Sequence, residues 1–526
     1  MMIGATVALA GWQTHSSQSS IIVWRDRESK YQTRIAERRL KGVKAMAEMT
    51  VAPVATHGFF LDGKWLEEGD IVDVHAPYDG ALIGQVYQGR REHADAAIAA
   101  AVKAFGTTRR LPAFERQRVL HRIATGIRDR KEEFAHTIAL EAGKPIKSAR
   151  SEVDRAVFTF NIAAEETVRG YGEYLPLDWQ QSTAGRWGIV KRFPLGPVAG
   201  ITPFNFPLNL VAHKVAPAIA AGCSMVLKPA PQTPLTALLL AEVIQQAGWP
   251  DGGFNAVLLS NEDSGLLVAD ERIKLISFTG SAAVGWAIKN NAGKKKVVLE
   301  LGGNSGVIVH SDTDLAYAAD RCVTGGFAYA GQSCISVQRI LVEHSVYGKF
   351  TELLLAAVGK LKVGDPLDES SDLGPLIRES DAIRAADWVQ EAVRGGARLL
   401  CGGNRKGSLF EPTVLTGTKP NMKVNCQEIF APVVTVEPYN DFASALKQIN
   451  SSAYGLQAGL FTRDAKLIFQ AYDELEVGGL IAGDVPTFRI DHMPYGGIKD
   501  SGLGREGLRD AIQEMTEPKL LVMNLR

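Results

Sequence analysis

Three side chains of this chain have the chemistry of covalent and acid–base catalysis, provided the fold gathers them: Cys334 in YAGQSCISVQR, Glu300 in VVLELGGNSG and Asn205 in PFNFP. By residue type Cys334 is open to three readings: a buried packing residue, a metal ligand or a nucleophile. Glu300 closes an apolar, strand-like run and is followed by Leu301 and two glycines. A carboxylate at a strand's carboxyl end, beside flexible backbone, is placed for proton transfer; a simply solvated carboxylate is the alternative. Asn205 stands between two phenylalanines and two prolines. An amide held that rigidly can donate to a developing oxyanion, although a turn-forming asparagine satisfies the same pattern.

A dinucleotide site needs phosphate-binding backbone at a helix start. The GxGxxG fingerprint is absent, but ISFTGSAAVGWAIKN reads as a strand, the turn Gly280-Ser281, and a helix with Gly285 in its first turns. Glycine admits a pyrophosphate to the backbone and the helix N-terminus favours negative charge; a structural turn is the other reading. Upstream, Lys228 ends the run CSMVLK ahead of the Pro-rich PAPQTP, where it is either a donor to a cofactor ribose or a solvated surface lysine.

The elements that must position these groups are legible as alternation. Asp62-Gly63 in HGFFLDGKW suits a tight hairpin. From Glu92 the spacing is helical, with breaks at Gly143 and Pro145, and helices continue to about Gly170. From Arg186 to Leu301, apolar runs (PVAGITPF, CSMVLK, NAVLL, IKLISF, VVLEL) alternate with helical stretches, and a second such block runs from GVIVH to about Leu480. Strand–helix alternation predicts parallel sheets covered on both faces, with ligands beyond the strands' carboxyl ends. The tail TEPKLLVMNLR reads as a lone strand in need of a partner. Cys322 and Cys223 fall in apolar stretches and read as core, and His213, without a second ligand at metal spacing, as packing or a cap.

Composition narrows the class. With 58 basic and 58 acidic residues the formal net charge is zero, so no global field draws nucleic acid or an anionic membrane. The 5 cysteines are scattered and form no CxxC pair, which favours a reducing, cytoplasmic setting over a disulfide framework or zinc site. No apolar run approaches the roughly 18 residues of a membrane span. Residues 1–50 read as an extension, disordered or not native, with Met46 or Met49 as alternative starts; their Arg-rich, Ser-containing stretch also permits an organelle-targeting reading.

Taken together, PFNFP, KPA, FTGS, ELGG, GQSC and QEIFAP occur in an order and spacing that resembles the aldehyde dehydrogenase superfamily, over residues 58 to 526. The resemblance implies an α/β fold of two Rossmann-like domains and a small β bridging or oligomerisation element: 51–171 and 192–302 for NAD(P) binding, 303–498 for catalysis, 172–191 and 499–526 for bridging. It implies Cys334 as the nucleophile, attacking an aldehyde to give a thiohemiacetal and, after hydride loss, a thioester. It implies Glu300 as base for the thiol and then for the deacylating water, and Asn205 with the Cys334 backbone N–H as the oxyanion hole. The cofactor residues carried over are Gly280, Ser281 and Gly285 at the pyrophosphate, Lys228 at the adenosine ribose, Glu428 and Phe430 at the nicotinamide ribose, and Thr202 and Pro203 beside them.

Two departures from the family pattern matter. Strongly NAD-selective members carry Glu three residues after the ribose lysine; here Pro231 stands there, so NADP is admissible and the expected cofactor is NAD(P). The entrance segment AGDVPTFRIDHMPYGGIKDSGLGREG resembles the branch acting on lactaldehyde, semialdehydes and other small polar or acidic aldehydes. There Arg489 and His492 are the candidate substrate residues, Arg489 either clamping an anionic group bidentately or holding the loop. Ser333, before the cysteine, stands where members handling strongly anionic aldehydes often place arginine. No metal, nucleic acid or membrane partner is expected, and a homodimer or homotetramer is. A coenzyme-A-acylating dehydrogenase is the alternative, which Glu300 argues against; a non-catalytic protein of the same fold is another.

Overall fold

Buried apolar runs build two largely parallel sheets, with helices covering their faces. This computed structural model describes residues 54–170 and 172–524; the extension over residues 1–50 lies outside them. The first sheet has eight strands, in the order Gly502–Leu503, Lys296–Glu300, Leu275–Thr279, Val198–Ile201, Met225–Lys228, Phe254–Ala256, Phe59–Leu61 and Lys64–Leu66. Those from Lys296–Glu300 to Phe254–Ala256 run parallel. Strands such as VAGI, MVLK and LISFT are buried at every residue, as a sheet covered on both faces requires. The outer hairpin turns at Asp62 (φ 47°) and Gly63 (φ 79°), the paired left-handed geometry for which Asp-Gly is suited.

Strand order reverses between Val198–Ile201 and Leu275–Thr279, so a crevice opens beyond their carboxyl ends. Thr202 and Pro203 leave the sheet on one side of it, Gly280 and Ser281 on the other. The second sheet has seven strands, in the order Arg398–Cys401, Thr413–Thr416, Val433–Tyr439, Val337–Glu343, Ser305–Val309, Gln457–Phe461 and Gly479–Ala482, parallel except at the first pair. This is the α/β class the alternation predicts.

The tail strand finds the partner it needs inside its own chain: Thr516–Asn524 pairs antiparallel to Arg186–Pro194, from Thr516↔Pro194 to Asn524↔Arg186, next to the segment 172–191 with which the family resemblance grouped it. With Gly172–Pro176 on the other side it forms a three-stranded sheet. The residues just before it are not part of that sheet. Gly502–Leu503 extends the first sheet beside Glu300, and Leu508–Glu514 packs on the helix Asn209–Ala221. That helix is buried along its whole length, which is possible because it is almost entirely apolar and small.

Candidate active site

The carboxyl end of strand Lys296–Glu300 and the loop ahead of Val337–Glu343 meet at a cavity of about 720 Å³, with Asn205, Glu300, Cys334, Glu428, Phe430 and Arg489 in its wall. The size suits a small substrate with part of a cofactor. Cys334 reaches the cavity through a strained turn. The helix Leu315–Phe327 ends, and Tyr329, Ala330 and Gly331 follow with φ of 51°, 52° and 70°; two consecutive non-glycine residues in this region cost energy the surroundings must supply. A side chain at Gly331 would strike the carbonyl of Ala431, and one at Gly303 the carbonyl of Cys334. The ELGG and GQSC motifs thus touch backbone to backbone.

The Cys334 sulfur lies 3.2 Å from the Tyr495 hydroxyl. Burial pushes the thiol up to about 12, so a base must generate the thiolate when it is needed. Glu300 is buried, and neither of its oxygens has a hydrogen-bond partner among the described residues. Burial first, and then the nearby Glu506, raise its carboxyl well above the ordinary range, against the pull of Arg489, Lys214 and Arg505. An unpartnered carboxyl of raised basicity in a closed site has the properties of a general base. Asn205 is buried and donates from Nδ2 to the Gln332 carbonyl at 3.0 Å, leaving its second amide hydrogen for the cavity. Gln332 is itself fixed, accepting from Ile377 N at 2.9 Å and donating to the Pro375 carbonyl.

The cofactor candidates fall into two groups: Lys228, Thr202, Pro203, Gly280 and Ser281 at carboxyl ends of first-sheet strands, with Gly285 in the helix that follows, and Glu428 and Phe430 ahead of the second-sheet strand Val433–Tyr439. Gly280 N donates to the Glu300 carbonyl at 3.0 Å, and Ser281 precedes the helix Ala282–Asn291. A Cβ at Gly280 would meet the Phe278 ring, and one at Gly285 the Leu301 side chain. Glycine at these positions therefore lets the helix start pack close to the strand ends, leaving backbone open to an anion. Lys228 is buried, its Nζ 3.4 Å from Asn261 Oδ1, and burial lowers its pKa. Thr202 N donates to the Lys228 carbonyl at 3.3 Å. Glu428 accepts from Gly303 N at 2.9 Å, and burial raises its carboxyl to about 7; a side chain at Gly302 would occupy its place. Phe430 takes a left-handed φ of 49° and meets Phe204 edge to face, centroids 6.0 Å apart. The donor set and the glycine-lined turn fit a nicotinamide dinucleotide.

Arg489 lines the cavity, but its guanidinium is already engaged. Nη2 donates to Glu506 at 3.0 Å and lies 3.2 Å from His213 Nε2, and the group stacks 3.7 Å over the Tyr495 ring. Asp491 joins the network through His213 at 2.9 Å and Arg155 at 2.6 Å. The loop is thus held through carboxylates, as the loop-holding reading of Arg489 allows. His492 is exposed, edge to face with Phe158, and lines a neighbouring groove rather than the cavity. Cys223 and Cys322 are buried as expected. Among the described residues no cluster of His, Cys, Asp and Glu could hold a metal, and no helix is long and apolar enough to cross a membrane.

Sequence reasoning missed Tyr495, Lys214 and Glu506. Lys214 is buried and bonds Ser277 Oγ at 3.1 Å and Thr279 Oγ1 at 2.8 Å, with Glu506 at 3.5 Å. Burial opposes the Glu506 charge, yet Lys214, Arg489 and His213 hold its carboxyl below the usual range. A signal was present: a lysine and a histidine side by side in the mostly apolar NLVAHKVAPAIAA have a reason to be there.

The aldehyde dehydrogenase family model matches residues 65–521. A 3-sulfolactaldehyde dehydrogenase of Priestia megaterium is 42% identical over 477 residues, 90% of this chain and 100% of that protein. A lactaldehyde dehydrogenase of Methanocaldococcus jannaschii is 41% identical over 474 residues, 88% of this chain and 100% of that protein. Among solved structures, aldehyde dehydrogenase 21 from Physcomitrella patens, in complex with the reaction product succinate, superposes with a TM-score of 0.89 at 47% identity, covering 90% of this chain and 99% of that one. Glyceraldehyde-3-phosphate dehydrogenase from Methanocaldococcus jannaschii, complexed with NADP, gives 0.84 at 40% identity, covering 87% and 100%.

Proposed function

The chain belongs to the aldehyde dehydrogenase family, and from that premise we propose that it oxidises a small polar or acidic aldehyde, of the lactaldehyde or semialdehyde type, to the carboxylic acid with NAD(P)+. The observation that carries this reading is a buried, unpartnered Glu300 sharing one cavity with the Cys334 thiol and the Asn205 amide.

In this reading Glu300 takes the thiol proton as the sulfur attacks the aldehyde carbon. The oxyanion is held by Asn205 Nδ2 and the Cys334 backbone N–H; one such donor contributes about 3 kcal/mol of barrier lowering. Bound NAD(P)+ supplies the hydride acceptor. Gly280, Ser281, Lys228 and Glu428 orient it, with Gly285 allowing close packing and Thr202, Pro203 and Phe430 flanking it. Glu300 then activates the water that frees the acid from the thioester on Cys334. Residues 51–171 and 192–302 serve the cofactor and 303–498 carry the nucleophile, while Asn205 and Glu300 join the chemistry from 192–302. Of the segments assigned to bridging, 172–191 and the tail strand make the small sheet.

The substrate class rests on the cationic wall. Arg489 and Arg155 both face the cavity, and both have carboxylate partners that an anionic substrate group would share or displace. The relatives named for sulfolactaldehyde and glyceraldehyde-3-phosphate, and the one bound to succinate, handle aldehydes or products with an anionic group. Ser333 argues against the most strongly anionic ones. Among the described residues the small sheet keeps a free edge along Thr516–Asn524, where Leu520, Leu521 and Val522 are half exposed; this supports a homodimer or homotetramer. The scattered cysteines support a cytoplasmic setting. The test is a panel of lactaldehyde, succinate semialdehyde, glycolaldehyde and phosphorylated or sulfonated aldehydes with NAD and NADP in parallel, with and without coenzyme A. Free acid as product is expected. Acyl thioester formed only with coenzyme A would replace this reading with the acylating one, and full turnover by Cys334→Ser would end both.

A further inference from the structure

We propose that Lys144 is a positioning residue for the oxyanion hole, its ammonium clamping together the two loops that carry Asn205 and the backbone N–H of Cys334. Lys144 stands at the elbow between the helices Lys131–Ala142 and Ile146–Val168 and is buried to 1% exposure. Its Nζ forms an ion pair with the equally buried Glu152. It also lies over two aromatic rings: 3.7 Å from the centroid of Phe206 and 4.4 Å from that of Tyr329. Those rings belong to the two loops in question. Phe206 follows Asn205 directly, and Tyr329 opens the left-handed turn that leads through Gln332 to Cys334. A cation over an aromatic face is drawn to the negative face of the ring, and here one cation faces both loops.

Glu152 completes the clamp. While one oxygen pairs with Lys144, the other accepts from Leu208 N at 3.0 Å and Asn209 N at 3.1 Å, just past PFNFP. Those are free N–H groups at the start of the helix Asn209–Ala221. On the other loop the Tyr329 hydroxyl donates to the Ala142 carbonyl at 2.8 Å, two residues before Lys144. Gln332 closes the circuit, its carbonyl accepting from Asn205 Nδ2. The strain at Tyr329 and Ala330 is therefore held from the Lys144 side, and a small relaxation there would move one oxyanion donor relative to the other. Donors effective in the transition state must be fixed beforehand.

This rests on the reading that Cys334 is the nucleophile and Asn205 an oxyanion donor. The test compares a reaction that develops an oxyanion with one that does not. The double variant Lys144→Met/Glu152→Gln removes the ion pair without leaving a bare buried charge. Expected are a kcat for aldehyde oxidation lowered at least tenfold, a Kd for NAD+ within twofold of wild type, and an unchanged rate of Cys334 alkylation by iodoacetamide, a displacement at saturated carbon. The variant Phe206→Leu, which keeps the ion pair and removes one ring, is expected to show the same signature more weakly and stands in if the double variant fails to fold. Turnover within twofold of wild type, or turnover, NAD+ binding and alkylation falling together, overturns the proposal. If Cys334→Ser keeps full turnover, the underlying reading has failed instead.

Discussion

The sulfur of Cys334 and the phenolic oxygen of Tyr495 lie 3.2 Å apart, although 161 residues separate them in sequence. The hydroxyl lowers the thiol's pKa against the larger, opposing effect of burial. The Arg489 guanidinium under the Tyr495 ring sets that hydroxyl in place. Tyr495→Phe should therefore leave a less acidic thiol. The rate of Cys334 alkylation by iodoacetamide should shift to higher pH, and kcat/KM should fall about tenfold, or about 1.4 kcal/mol. An alkylation profile identical to wild type would remove Tyr495 from the nucleophile's environment.

Glu300 gives two pH effects of known sign. Its folded carboxyl is raised well above the ordinary 4.5, so the basic form accumulates only as pH rises through the raised value, and kcat/KM should climb across that range. The same shift means the folded state holds its proton longer than the unfolded chain. Its contribution to stability is fully present below the unfolded value and is lost as pH rises through the folded one. Glu300→Gln should lower kcat at least about a hundredfold and flatten the acid limb of the rate profile. It should also reduce the loss of stability as pH rises above the ordinary carboxylate range, followed by urea unfolding.

Arg489 is tied to stability and substrate at once. Removing it leaves the buried carboxylates of Glu506 and Asp491 short of a partner, which costs about 3–5 kcal/mol. Arg489→Ala should therefore melt earlier than wild type. If it also meets the substrate's anionic group, kcat/KM for an acidic aldehyde should fall at least tenfold more than for a neutral aldehyde of equal length. An equal loss on both substrates would leave Arg489 as the anchor of its loop and nothing more.

What the sequence revealed and what it hid follow one division. Glu300, Lys228 and Gly280 sit at ends of short apolar runs, and period and punctuation mark those ends in any single stretch. The hidden parts are contacts between distant stretches. Nothing near Lys144 announces that Phe206 and Tyr329 will close over it, and nothing near Arg489 announces Glu506. The tail was legible as a strand because its residue types are those of strands. Its residue types do not name its partner, because an edge of exposed backbone groups accepts any strand in reach; only the family resemblance grouped it with 172–191, and it pairs with Arg186–Pro194.

Pro231 offers the most direct test of cofactor choice. It lies in the turn between the strand Met225–Lys228 and the helix Pro234–Gln246, three residues after Lys228. A glutamate there would accept from a ribose 2′-hydroxyl and repel a 2′-phosphate, and proline does neither. The wild-type Kd for NADP should therefore lie within about a hundredfold of that for NAD, or about 2.7 kcal/mol. Pro231→Glu should weaken NADP binding at least tenfold and leave NAD within about threefold, since only the phosphate meets the added charge. Fluorescence titration of both cofactors on both proteins reads this directly. If Pro231→Glu weakened the two cofactors equally, the effect would be a distorted turn, and selectivity would have to come from elsewhere along the Lys228 ribose site.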